Sequence, residues 1–470
     1  MASSSPHARL DVLLSEASLS HLSAAAALSR QGYRVCVLQG SQPDGVPPWA
    51  LPPLGLLPPA NTGTLLDELF ATCDIPPPVR RSFRSPRILF QIVWPGVRAD
   101  ILQNPQAHEA ALVREFGEGE ARRMLRLEQN LSDQAAGLLK AIERTPVFPP
   151  SGIFSRLGKG RRPEGISRGL GHLLERPFSE LAREAQISAD GQRYFQLYLA
   201  ASAFLLQKEP SAAAAAAVLS PVVREHTLLP PEDSPELRDL LAVQISRRGV
   251  SLGRGTAREI RKAAGNIWEV ETSEGDQLRT RALVEGENAL QERLGGGGAG
   301  YWRTHTLKVA FAPAAIPVGL CPRGVLLADP AQEWKGGNLI FWSLERPAEP
   351  GGAARIWATL LSEEIVPAGN GAALASAPTE AQRAKVLSGL SRIIPFLPEN
   401  ASKTAWMPAP REGTWLSGPT RSLGLVGMGL EAGRRSRYAL GRSNLPALGV
   451  WGEIKSAFSL AHLVGRKLGN

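Results

Sequence analysis

Apolar residues gather from Leu10 to Leu14, and from Ser18 to Arg30 they return at helical spacing through Leu19, Leu22, Ala26 and Leu28. Gly32 closes that helix, and a second apolar run follows from Arg34 to Leu38. Run, helix and run predict a βαβ unit. The next stretch, PDGVPPWALPPLGLLPPA, holds too much proline for a helix or a sheet interior and is expected as a surface connection. Thr64 to Thr72 then predicts a helix, and PRILFQIVWPGVRADIL predicts two strands about a Pro95-Gly96 turn.

From Pro105 to about Leu219 the period is helical, which marks a helical insert. Within it, Tyr194 to Leu206 is apolar nearly all round, so it is expected either inside the insert or against a bilayer face. An α/β pattern resumes at Ser234 with a helix, a strand at VSLG and a β-meander. The meander turns at Ala264-Gly265-Asn266 and at Glu274-Gly275-Asp276. After a glycine run at Gly295 to Gly298, the segments THTLKVAFA, GVLLAD, NLIFWSL and RIWATLL predict one antiparallel sheet. Thr379 and Gln382 form a capping box for a helix that carries Val386, Leu387, Leu390, Ile393 and Ile394 on one face. LGLVGMG and then LPALGVWGEIKSAFSLAHLV close the chain as strand, loop and helix.

This order places the chain in the α/β class, with a nucleotide-type domain interrupted twice. Its three parts are expected at 1–98, 226–298 with the meander, and 413–470. A helical insert at 99–225 and an antiparallel sheet with a helix at 299–412 make up the second domain.

Composition narrows the setting. At 470 residues the chain is about three times the usual domain size. Hydrophobic residues are 43% and charged residues 21%, and no apolar run reaches the roughly 18–20 residues of a membrane span. Cys36, Cys73 and Cys321 lack CxxC spacing and are expected as buried small residues in a reducing compartment. Glu16 and His21 interrupt what would be the apolar core of a signal peptide, so the chain is expected to start near Met1 in the cytoplasm.

The net charge of +9 is spread along the chain, with denser patches at Arg156, Lys159, Arg161, Arg162 and Arg168 and at Arg434, Arg435, Arg437 and Arg442. Neither patch is interleaved with aromatic residues, which argues against nucleic acid and for solvated loops. Peripheral contact with a membrane surface is the alternative.

The elements, taken in order, resemble the flavin-dependent phytoene desaturase and amine oxidase-like oxidoreductases over nearly the whole length. The opening resembles their first βαβ unit. FQIVWPGVRADI with VREFGEGEA is similar to the region after it, FLLQKEPSAAAAAAVL to their substrate-domain helices, and LRDLLAVQISRRGVSLGRGTAREI to their second flavin-domain segment. LGLVGMG and LPALGVWGEIKSAFSLAHLV resemble the closing segment beside the flavin. The resemblance implies a discontinuous Rossmann-like FAD-binding-type domain plus a substrate-type domain with antiparallel sheet and helical insert.

It also implies a GxGxxG turn, a helix N-terminus facing the pyrophosphate, and an acidic residue on the adenosine ribose. Those glycine positions fall here on Glu16, Ser18 and His21, and the acidic one on Gln39. A carboxylate about 4 Å from a phosphate opposes binding by about 4 kcal/mol at an effective dielectric of about 20, or about a thousandfold in affinity. In the closing segment a Gly-Asp pair of relatives appears as Gly427-Met428, which removes another contact, while Gly449, Gly452 and Glu453 are retained.

Each position also has a plain structural explanation. Glu16 suits the N-terminal side of the following helix, His21 suits a helix face because no other histidine sits at ligand spacing, and the retained glycines suit turns and packing. HExxH and Walker A patterns are absent, and the GxSxG spacing occurs at GISRG (165–169), in the basic loop, and at GVSLG (249–253), where a helix leads into a strand; no catalytic residues and no metal ligands are expected. The flavin carries the hydride chemistry in such enzymes, so its loss removes the inherited reaction.

The preferred expectation is a pseudoenzyme with no cofactor, unable or poorly able to bind FAD. It would act as a binding or scaffolding subunit beside an active oxidoreductase relative or another protein partner. The alternatives are an active FAD-dependent oxidoreductase on a lipophilic substrate and a carrier of a carotenoid or lipid.

Overall fold

The computed structural model describes residues 9–40, 64–83, 86–149, 176–203, 210–225, 237–286, 300–334, 337–347, 349, 351–365, 378–407, 414–416, 430–431, 436–441, 444–445 and 448–469. Its strands are β1 (Arg9–Leu14), β2 (Val35–Leu38), β3 (Ile88–Trp94), β4 (Val97–Leu102), β5 (Ser251–Gly253), β6 (Ala257–Lys262), β7 (Trp268–Thr272) and β8 (Gln277–Gly286). The later ones are β9 (Gly300–Phe311), β10 (Arg323–Leu327), β11 (Leu339–Glu345), β12 (Ala354–Ile365), β13 (Ala401–Trp406), β14 (Thr414–Leu416) and β15 (Arg437–Leu440).

In the first sheet β5, β2, β1, β8 and β15 run parallel, each paired with the next. The β6–β7 meander continues the sheet antiparallel from the first half of β8. Its turns are those the sequence predicts, with Gly265, Asn266 and Gly275 at positive φ. The helix α1 (Leu19–Arg30) carries the chain from β1 to β2. Its consecutive alanines Ala24–Ala27 are buried, and such small side chains let it lie close to the C-terminal helix Gly449–Gly469. Tyr33 fixes that contact by donating from its hydroxyl to the Gly465 carbonyl at 3.1 Å.

The second sheet runs β13-β9-β12-β11-β10-β3-β4, with β14 also on β9. One expectation changes here: β3, expected in the first nucleotide-domain segment, pairs with β4 and β10 in the second sheet. β9, β12, β11 and β10 pair antiparallel as the sequence predicts, and β3 joins β10 in parallel. The pattern of β3 shows that it is buried but not which sheet buries it.

One face of this sheet meets the helix Glu380–Leu390, whose capping box joins Thr379 and Gln382 as the sequence predicts. Val386, Leu390, Ile393 and Ile394 pack there with Leu326, Ile340 and Trp342. The helical insert also reaches the sheet: the ring of Tyr198 on the helix Ala189–Ala203 meets Phe90 of β3 edge-on, with centroids 5.2 Å apart. That helix is buried, and the all-alanine turn of Ala212–Leu219 packs against it. The expectation that Tyr194 onward lies inside the insert is met as far as Ala203, and Phe204 to Leu206 lie outside the described residues. Among the described residues, no helix is long and apolar enough to cross a membrane.

Candidate functional site: the carboxyl edge of the parallel sheet

The chain leaves β1 toward β2 on one side, while β8 pairs with β1 on the other. This reversal makes the ends of β1 and β8 the switch point of the parallel sheet, where open α/β folds place a ligand in a crevice. Ser15 and Glu16 follow β1, and Gly286 ends β8. The Ser15 amide donates to the Val284 carbonyl at 2.9 Å, and the Gly286 amide donates to Ser15 Oγ at 3.1 Å, which ties the two strand ends together.

The Glu16 carboxylate lies on this crevice. A Cβ built on Gly286 would overlap Glu16 Cδ and Oε2 and come within 2.8 Å of Oε1. The absence of a side chain at Gly286 is therefore what gives the carboxylate its seat. It also approaches α1, where Oε1 is 3.3 Å from His21 Nδ1. The same nitrogen is 2.6 Å from Ser18 Oγ, which in turn lies 3.0 Å from Ser20 Oγ.

His21 is fully buried, and burial pushes its pKa down to about 3, with the Glu285 backbone carbonyl acting in the opposite direction. The ring is thus neutral at pH 7, and its Nδ1 hydrogen-bonds Ser18 Oγ at 2.6 Å while Glu16 Oε1 stands 3.3 Å away. Ser18 supplies the N-cap: at φ −74° and ψ 166° its Oγ accepts the His21 amide at 3.5 Å. This extended geometry needs no glycine. Glu16 stands two residues ahead of this N-cap, on the N-terminal side of the helix.

The structure brings Glu16, Ser18 and His21 into one network. Gln39 follows β2 at the same edge, exposed, with its amide donating to the Gly253 carbonyl at 2.9 Å. Gly449 and Gly452 have steric reasons to be glycine. Gly449 opens the C-terminal helix at φ +49°, and a Cβ on Gly452 would lie 2.5 Å from the Leu445 carbonyl oxygen. Glu453 is buried in that helix. Gly427 and Met428 lie outside the described residues, as do the basic loop at 156–168 and Arg434, Arg435 and Arg442 of the second patch. Arg437 of that patch is bound within the fold, paired to the buried Glu285 and stacked 5.8 Å from the Trp268 ring centroid.

Sequence reasoning missed Gly286, because nothing local distinguishes a strand-ending glycine that receives a side chain from 270 residues upstream. It also missed a second polar centre, in the helical insert. There Arg224 Nη1 meets Glu128 Oε2 at 2.5 Å, and His108 Nε2 lies 3.6 Å from Glu128 Oε1 and 3.5 Å from the Tyr194 hydroxyl. Cys36, Cys73 and Cys321 are buried free thiols, as expected, and burial pushes their pKa values up to about 11, 12 and 11.

No protein-family model and no curated protein matches the chain. Solved structures do match. Putrescine oxidase bound to putrescine aligns with 99% of this chain and 100% of its own, at 12% identity and a TM-score of 0.56. Cyclohexylamine oxidase from Brevibacterium oxydans IH-35A aligns with 98% of this chain and 100% of its own, at 13% identity and a TM-score of 0.55. At such identity the likeness is one of fold alone: the chain shares its α/β fold with these two oxidases.

The family resemblance noted in the sequence implies FAD, with its pyrophosphate before the first helix. The residues at this edge do not fit it in the arrangement they hold. The Glu16 carboxylate occupies the crevice and carries the same sign of charge as a phosphate, and His21 is neutral and offers no counter-charge. No catalytic step is derived through the cofactor for this chain.

Proposed function

We propose that this protein is a pseudoenzyme of the FAD-dependent oxidoreductase fold, which binds FAD poorly or not at all and serves as a binding or scaffolding subunit for another protein. The observation that supports it is the Glu16 carboxylate seated on Gly286 at the switch point, 3.3 Å from His21 Nδ1. An active oxidoreductase relative or another protein is the partner of this reading. The rival reading, an active FAD-dependent oxidoreductase, draws its support from the likeness of fold to two oxidases.

Purified full-length protein should show no flavin absorbance after dialysis, and added FAD should leave its melting temperature unchanged. Stoichiometric flavin that survives dialysis would overturn the pseudoenzyme reading. Affinity purification from the native host should bring down an oxidoreductase at a fixed ratio, and its absence would remove the scaffolding half of the proposal.

A further inference from the structure

We propose that the Glu16 carboxylate is a resident anion closing a crevice that otherwise keeps the frame of a dinucleotide site, so that removing this one group opens the crevice to a pyrophosphate. The inference rests on the pseudoenzyme reading and names the group responsible for it.

Three features of the edge carry it. The carboxylate is at the position that the strand order assigns to a ligand, between the ends of β1 and β8, rather than on an outer surface. It is held there on two sides: His21 Nδ1 reaches its oxygen at 3.3 Å, and Gly286 leaves the space that any side chain would fill. The Ser15 hydroxyl fixes Gly286 by accepting its amide, so the space beneath the carboxylate is part of the fold.

The frame around the carboxylate persists. β1, α1 and β2 keep the βαβ order, their strands stay in parallel register, and Gln39 stands exposed after β2 with an amide able to bond a ribose hydroxyl. The first turn of α1 contains no acidic residue, so Glu16, just ahead of it, supplies the negative charge that a helix N-terminus favours. A phosphate group would meet the same preference. The Glu16 side chain is 32% exposed, so the crevice opens toward solvent once the side chain is shortened.

The test compares wild type with Glu16→Ala and Glu16→Gln, using inorganic pyrophosphate and ADP as probes in calorimetric titrations on the full chain. Glu16→Ala should bind pyrophosphate at least tenfold more tightly than wild type, with about a thousandfold as the ceiling set by removing one charge about 4 Å from a phosphate. Glu16→Gln keeps the bulk and loses the charge, so its gain should be smaller. A folded Glu16→Ala or Glu16→Gln protein that binds both probes no better than wild type would overturn the inference, and Glu16→Gln decides the matter should Glu16→Ala fail to fold.

Gly286→Ala supplies a readout that does not depend on binding. It should displace the flexible Glu16 carboxylate and so lower the melting temperature of wild type by more than that of Glu16→Ala, whereas equal losses in both would refute the seat. Flavin retained by wild type overturns the parent reading, while a flavin-free wild type whose Glu16 variants gain nothing overturns this inference alone.

Discussion

Arg224 and Glu128, 96 residues apart in sequence, meet inside the helical insert as an ion pair sealed from solvent, with side chains 2% and 0% exposed. Burial pushes the Glu128 carboxyl up, but Arg224 and His108 together outweigh it and hold it below the usual carboxylate range. Removing one partner leaves the other charge buried alone. Glu128→Gln or Arg224→Met should therefore lower stability by about 3–5 kcal/mol, while Glu128→Leu with Arg224→Met recovers most of the loss. Urea unfolding of the three variants checks this. The folded value is depressed, so the contribution of the pair is full above the ordinary carboxyl value of 4.5 and is lost as pH falls through the lower folded value.

His21 makes stability depend on acid in a second pH window. Its pKa is about 3 in the fold against 6.5 for a free imidazole, so below pH 6.5 the unfolded chain takes up a proton that the native chain refuses. Stability should fall with pH through this window, by about 2 kcal/mol between pH 6.5 and 5. His21→Leu should remove that part of the slope, whatever it does to stability at pH 7.5. Unfolding midpoints at several pH values are the check, and parallel slopes for the two proteins would contradict a buried neutral ring.

Lys455 of the C-terminal helix donates to the carbonyls of Thr145 at 2.6 Å and Glu143 at 3.5 Å, at the end of the insert helix Glu118–Arg144. Burial pushes its ammonium down to about 8, with Glu68 and Glu143 opposing. Between pH 8 and the ordinary value of 10.5 the unfolded chain binds the extra proton, so this residue makes the fold more stable as pH rises. The stability difference between wild type and Lys455→Met should shift toward wild type by about 2 kcal/mol from pH 8 to 9.5, and chemical denaturation at both pH values measures it.

Gly452 and Gly449 separate packing from cofactor binding. Ala at 452 would press on Leu445 and Leu448, with its Cβ 2.5 Å from a backbone oxygen, and should lower stability by about 1–3 kcal/mol. Ala at 449 has 3.6 Å to the Ser202 carbonyl and meets only the left-handed backbone at φ +49°, a penalty of about 1–2 kcal/mol. Both losses should appear in flavin-free protein and be unchanged by added FAD, as read by thermal unfolding. A loss seen only with FAD present would assign these glycines to the cofactor.

The sequence by itself determined what depends on near neighbours along the chain. The βαβ opening, the meander turns at Gly265 and Gly275, the Thr379–Gln382 cap and the apolar helix from Tyr194 were legible because period, positive φ and capping are local properties. The family resemblance, rather than any local period, marked Glu16, Ser18 and His21 as out of place for a dinucleotide turn.

Tertiary structure alone decided the partners. It paired β3 with β10 rather than with the first sheet, closed the charge of Glu128 with Arg224, and seated the Glu16 carboxylate on Gly286. A residue's pattern says that it is buried or charged, but the group that meets it is chosen by how distant strands and helices come together. Gly286 reads in sequence as one more glycine after a strand; only the parallel register of β1 and β8 turns it into the floor beneath a carboxylate.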